Sequence, residues 1–269
     1  MQRNLILFLA VLLALSAAGC AKVQARAELK KGNSYYQQEQ YSKAMDYYKK
    51  GLDLDPDATF AWRSLGLSAL AMYRPGDDTP KNIEYGNTAT DAFEKYLAEY
   101  PDDEKVVEYL MSMYVNVKKY DEALSFIDRR SQERPDEAPK LQLARSNILT
   151  QAGRLDKALQ LAQGLPPEQR FLSLYSIGMT AWDKVFHDPG TMDYEEKNKL
   201  TDMGIDAVKK ALDVKPDYSE AMVCYGLLLR EKAKMETDGE KRLAYEQQAI
   251  DWRNKAIELR KKAQPAANT

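Results

Sequence analysis

The chain has 269 residues, 44% of them hydrophobic and 30% charged, and a formal net charge of −2 at neutral pH. With no basic field there is no footprint for a nucleic-acid backbone. One histidine and two cysteines fall short of the four nitrogen or sulfur ligands of a structural zinc site. No phosphate-binding glycine loop, dinucleotide fingerprint or paired-histidine metalloprotease motif is present, so no catalytic residue, metal or cofactor is expected. Tyrosine outnumbers phenylalanine 17 to 6, a bias suited to rings that plug helix crossings while keeping a wet edge.

The first predicted element is the N-terminal run LILFLAVLLALSAA after Arg3. At about 14 residues it is shorter than the ~20 that a membrane span needs and has the length of a secretory-signal core. It ends in Ala17-Ala18-Gly19-Cys20. This ending resembles the lipobox of bacterial lipoproteins, with Ala17 where leucine is usual. The resemblance implies that residues 1–19 are removed, that Cys20 is lipidated, and that residues 20–26 form a short tether. Ala21, in place of Asp, implies transport to an outer membrane, facing the periplasm. Several acyl chains would make such an anchor stable, since each buried methylene contributes ~0.8 kcal/mol. The alternative is ordinary signal cleavage and a soluble periplasmic product. With Cys20 lipidated only Cys224 remains, so no intramolecular disulfide is expected, and Cys224 reads as a small buried apolar residue.

After the tether the chain becomes periodic. Gly32 and Gly66 lie 34 residues apart, as do Pro101 and Pro135, and this spacing marks a copied helix–turn–helix unit. In Ala25–Ala58, Gly32 and Tyr35 occupy the first helix; Tyr41, Ala44, Tyr48 and Gly51 follow in the second, and Pro56 ends the unit. These residues resemble the tetratricopeptide repeat. Trp62, Leu65, Gly66 and Ala69 begin a second copy that closes with Ala89, Phe93, Tyr96 and Pro101. Leu110, Tyr114, Tyr120, Ala123 and Pro135 mark a third; Leu149, Gly153, Leu155 and Ala158 a fourth; Leu174, Gly178, Val208 and Ala211 a fifth; and Met222, Tyr225, Gly226, Ala249 and Ala256 a sixth. The expected fold is therefore all-α, a right-handed α-solenoid over residues 27–262. Its units lie near 25–58, 59–103, 104–137, 138–170, 171–218 and 219–262, with a disordered tail at 263–269.

Insertions interrupt units two, five and six near 74–87, 187–195 and 237–240. They are expected to lengthen helices with looser turns; the other reading is loops that decorate a binding face. Asp183, Asp188, Asp193 and Glu195 are read as helix-capping and turn residues, since their spacing does not match a calcium loop.

The resemblance implies that the first helix of each unit lines a partner-binding groove. Carried over position by position, it places there Asn33, Tyr36 and Gln37, then Arg63 with Leu67, then Lys105, Ser112 and Asn116. Asn147 and Gln151 follow, then Tyr175, Met179 and Trp182, and finally Leu227 and Arg230. Trp182 is either an anchor for a partner or packing beneath the adjacent insertion. One subset of the family clamps a peptide carboxylate; Asn33 matches that pattern, whereas Leu29, Ser64 and Tyr109 do not, so the clamp is not expected. The function expected is a lipid-anchored scaffold for protein–protein interactions in assembling or positioning a bacterial cell-envelope complex. The alternative is a periplasmic receptor for a peptide or small ligand in the same groove.

Overall fold

Helical spacing of small and apolar residues decides the local structure. In Tyr41–Leu54 the buried positions are Ala44, Met45, Tyr48, Gly51 and Leu52, three and four residues apart, which makes one inward stripe. The computed structural model describes residues 2–188 and 190–263, with side chains from Cys20 onward. The lipobox side chains before Cys20 and the tail at 264–269 lie outside the described residues. The helices are α1 (Gln2–Gln37), α2 (Tyr41–Leu54), α3 (Thr59–Met72), α4 (Pro80–Glu99), α5 (Glu104–Asn116), α6 (Tyr120–Glu133), α7 (Ala138–Gln151), α8 (Leu155–Gln163), α9 (Pro167–Phe186), α10 (Tyr194–Val214), α11 (Ser219–Met235) and α12 (Gly239–Ala263). There is no strand among the described residues, so the class is all-α, as expected. None of these described helices is long and apolar enough to cross a membrane.

The chain divides into two compact units, one ending at Lys119 and the other beginning at Tyr120. In the first, α1 and α2 form a hairpin, as do α3 and α4, and α5 packs on α4. The periodic glycines sit at the crossings. A methyl group on Gly32 would stand 2.8 Å from the Tyr48 ring, and one on Gly66 2.5 Å from Phe93, so these helices approach as closely as they do because no side chain intervenes. Asp103 caps α5 by accepting the Val106 N–H at 3.2 Å. Val106, Leu110, Met113 and Tyr114 are its buried residues, and the Tyr114 hydroxyl donates to Glu94 on α4.

In the second unit, α7 pairs with α8, α9 with α10, and α11 with α12. Arg130 and Glu137 join α6 to the following turn through two bonds of 2.6 and 2.9 Å. The hydroxyls of Ser146 and Ser173, 2.5 Å apart, join α7 to α9 where both are buried. Leu149, Leu155, Phe171, Leu174 and Ile177 make one apolar cluster, and Met222, Leu228 and Leu229 the centre of the next.

The division between the two compact units falls within residues 104–137. In the first unit α5 packs on α4, and in the second α6 packs on α7. The first insertion extends α4, which has 20 residues, over 80–87, whereas 194–195 and 239–240 are the only helical parts of the other two. Only 73–79 of the first insertion is loop. Asn82, 3% exposed, seals that loop by accepting from the Arg74 N–H and donating to the Arg74 and Asp77 carbonyls, all at 2.7–2.8 Å.

Candidate functional site

In the first unit, α1, α3 and α5 present a polar and aromatic face. Tyr36 is half-buried near the end of α1, and its hydroxyl lies within electrostatic reach of Tyr41, Arg63 and Tyr109. Burial pushes its pKa above the ordinary tyrosine value; Tyr41 adds to this and Arg63 opposes it. The phenol is therefore a neutral donor at any physiological pH. One turn earlier, Asn33 accepts a 2.8 Å bond from the Tyr48 hydroxyl, which fixes its amide and leaves the nitrogen end as a donor.

Arg63 is held from behind. Its Nε donates to Asp103 Oδ2 at 3.3 Å, and the Tyr96 hydroxyl donates to the same oxygen at 3.0 Å. Burial of Asp103 opposes its ionisation, but the Val106 N–H, Tyr96 and Arg63 outweigh this and hold its pKa below the usual carboxylate range. With 41% of the Arg63 side chain exposed, the pair contributes below about 1 kcal/mol to stability. Its consequence is orientation: the guanidinium is fixed on one edge and keeps its other donors within electrostatic reach of the Tyr36 phenol. Tyr109 stacks on Phe93 with centroids 6.0 Å apart, and Lys105 Nζ lies 5.2 Å over its ring. A fixed guanidinium, a neutral phenol and aromatic faces suit a carboxylate or the carbonyls of an extended peptide.

Of the residues expected in the groove, Tyr36 and Arg63 are brought together, with Asn33 one turn away and Lys105 beside Tyr109. Gln37 is exposed at the end of α1. Asn116 lies at the far end of α5, where its carbonyl accepts from the Tyr73 hydroxyl at 3.0 Å and its amide approaches Ser112 at 3.5 Å. Three participants were not expected. Tyr109, read from the sequence only as a missing clamp residue, is an aromatic wall. Asp103, which the sequence reading did not single out, orients Arg63. Phe60, 54% exposed, lies three residues before Arg63 and so on the same face of α3; that spacing was legible.

In the second unit the expected residues are separated. Asn147, Gln151 and Arg230 are exposed and have no side-chain hydrogen bond among the described residues. Tyr175 is packed: it contacts Tyr218 edge-on at 5.3 Å, and the same Tyr218 meets Phe171 at 4.8 Å. Trp182 is half-buried against the α11 cluster and stacks on Phe186 at 5.0 Å. Its indole nitrogen is buried without a partner. His187 accompanies Asp183 at 3.0 Å, and Asp188 receives the Thr191 and Met192 N–H groups and the Lys197 ammonium. Asp193 caps α10 through the Glu196 N–H. Among the described residues no cluster of His, Cys, Asp and Glu is placed to hold a metal ion.

Comparison with known proteins bears on the hairpin that carries Asn33 and Tyr36. Residues 25–58 match the family model for the tetratricopeptide repeat. The matched stretch comprises the end of α1 from Ala25 onward and all of α2, so Asn33 and Tyr36 lie on its first helix. No curated protein matches the chain. Solved structures similar to it include YrrB, described as a TPR protein with an unusual peptide-binding site, at 21% identity over 72% of this chain and 88% of that one, with a TM-score of 0.42. A TPR repeats protein from Bacteroides fragilis is 15% identical over 78% of this chain and 98% of its own, with a TM-score of 0.40. MamA is 18% identical over 90% and 99%, with a TM-score of 0.36. Helical repeats of this kind present extended surfaces for protein or peptide partners.

Proposed function

We propose that this chain is a lipid-anchored scaffold that binds a protein partner during assembly or positioning of a bacterial cell-envelope complex. The observation that carries the reading is the Arg63 guanidinium on α3, held by Asp103 within electrostatic reach of the Tyr36 phenol. The site selects for an extended partner segment with a carboxylate or a run of accessible carbonyls, and the anchor would keep it near the membrane. The short stretch between Cys20 and the first buried residue, Ala25, supports placement of this face close to the bilayer. The alternative is a periplasmic receptor, in which the same guanidinium and phenols would take a free peptide or a small carboxylate ligand.

Crosslinking in intact envelopes followed by mass spectrometry tests the scaffold. A specific envelope protein should be recovered from the wild type and lost or reduced about tenfold with Arg63→Ala plus Tyr36→Ala, since aromatic and arginine anchors carry ≥1–2 kcal/mol each. Recovery of no protein, with a small molecule bound to the purified chain, favours the receptor. For the anchor, Cys20→Ser should abolish lipid labelling and leave the precursor uncleaved; normal processing of that variant refutes lipidation.

A further inference from the structure

The last helix carries an apolar line that no described residue of its own unit covers. On α12, Ala249 and Ala256 are buried and Tyr245, Trp252 and Leu259 are half-buried against α11. Three large apolar side chains, Leu243, Ile250 and Ile257, are 61%, 38% and 44% exposed. They recur every seven residues, so they form one line on a face turned well away from α11. Single exposed aliphatic residues are ordinary. Three in line on a terminal helix, with the opposite edge already packed, make a seam.

We propose that this seam is a self-association surface on which α12 of a second copy of the chain packs antiparallel. The charges beside the seam select both the partner and the direction. Glu246 follows Leu243 by three residues and Arg253 follows Ile250 by three, so both border the line. Neither has an ion-pair partner among the described residues. Turning one copy about an axis near Ile250 sets Leu243 across from Ile257, Glu246 across from Arg253, and Lys261 toward the Gly239–Glu240 end. A parallel pairing would instead set Glu246 against Glu246 and Arg253 against Arg253. The surface is thus complementary to itself in one orientation, the condition for a closed two-fold dimer. From Leu243 to Ile257 the seam runs about 21 Å at 1.5 Å per residue. A helix pair of that length buries on the order of 1,000 Å², the low end of specific interfaces. A dimer with micromolar affinity is expected.

The test uses the chain from residue 20 onward with Cys20→Ser, so that no lipid drives association. Among the described residues every buried one lies at or after Ala25, so this chain retains the whole described core. Sedimentation velocity should show dimers at about 100 µM and monomers near 1 µM. Ile250→Glu should weaken association at least tenfold with unchanged helical content and melting temperature. Glu246→Arg and Arg253→Glu should each weaken it, and the double variant should restore it. A wild type that stays monomeric at 100 µM overturns the proposal, as does a dimer indifferent to Ile250→Glu. A double charge reversal no better than its single parents overturns the antiparallel arrangement.

Discussion

Replacing Gly66 with alanine sets two known effects against each other. In an exposed helix this change stabilises by about 1 kcal/mol, because alanine has the higher helix propensity. Here the added methyl would stand 2.5, 2.6 and 3.0 Å from three carbons of the Phe93 ring, against an unstrained carbon–carbon separation of about 3.5–4.0 Å. Phe93 is 0% exposed and stacks on Tyr109, so the ring has no free volume to enter. Relief requires α3 and α4 to separate, and overpacking of this kind costs about 1–3 kcal/mol. The clash outweighs propensity at most of that range, so Gly66→Ala should destabilise by about 1 kcal/mol net. For a unit of about 100 ordered residues that is a fall in melting temperature of roughly 4–8 °C. Thermal unfolding followed by circular dichroism measures it, and Phe93→Leu supplies the control. If the ring is the obstacle, the double variant is less destabilised than the sum of the singles by about 1 kcal/mol. A Gly66→Ala protein more stable than the wild type, or strictly additive singles, refutes the packing argument.

Asn82→Ala should cost about 2–4 kcal/mol, because it leaves the buried N–H and carbonyl of Arg74 and the Asp77 carbonyl without their partner; chemical denaturation reads this, and a loss under 0.5 kcal/mol would show that water replaces the amide. Cys224 is 1% exposed, and burial pushes its thiol up to about 12. In a Cys20→Ser background it should resist a disulfide reagent at pH 8 until denaturant is added; prompt modification of the folded chain contradicts the burial. The sign of its pH dependence follows from the raised value: the unfolded thiol, near 9, ionises first, so this contribution to stability is complete below pH 9 and disappears as pH rises toward 12. Guanidinium midpoints from pH 8 to 11 check the direction, with Cys224→Ala, which lacks the titrating group, as the reference.

Much of the fold was legible because a helix crossing constrains residues close in sequence. Small residues must recur where backbones meet, so Gly32, Gly51 and Gly66 announce the crossings, and the stripes of α2, α3 and α5 follow from spacings of three and four. For the same reason residues 25–58 are recognisable from one hairpin, and so is the cap Asp193, which bonds an N–H group three residues onward. The site was legible only in outline. Groove positions could be carried over one by one, but whether each side chain is presented or packed depends on atoms far along the chain. Tyr48 fixes Asn33 from 15 residues away and Asp103 orients Arg63 from 40, whereas α11 takes up Tyr175 and Trp182. Local spacing thus determined the helices, their turns and the hairpin register. Long-range packing decided which polar atoms pair, which aromatics are buried, and which line on α12 remains uncovered.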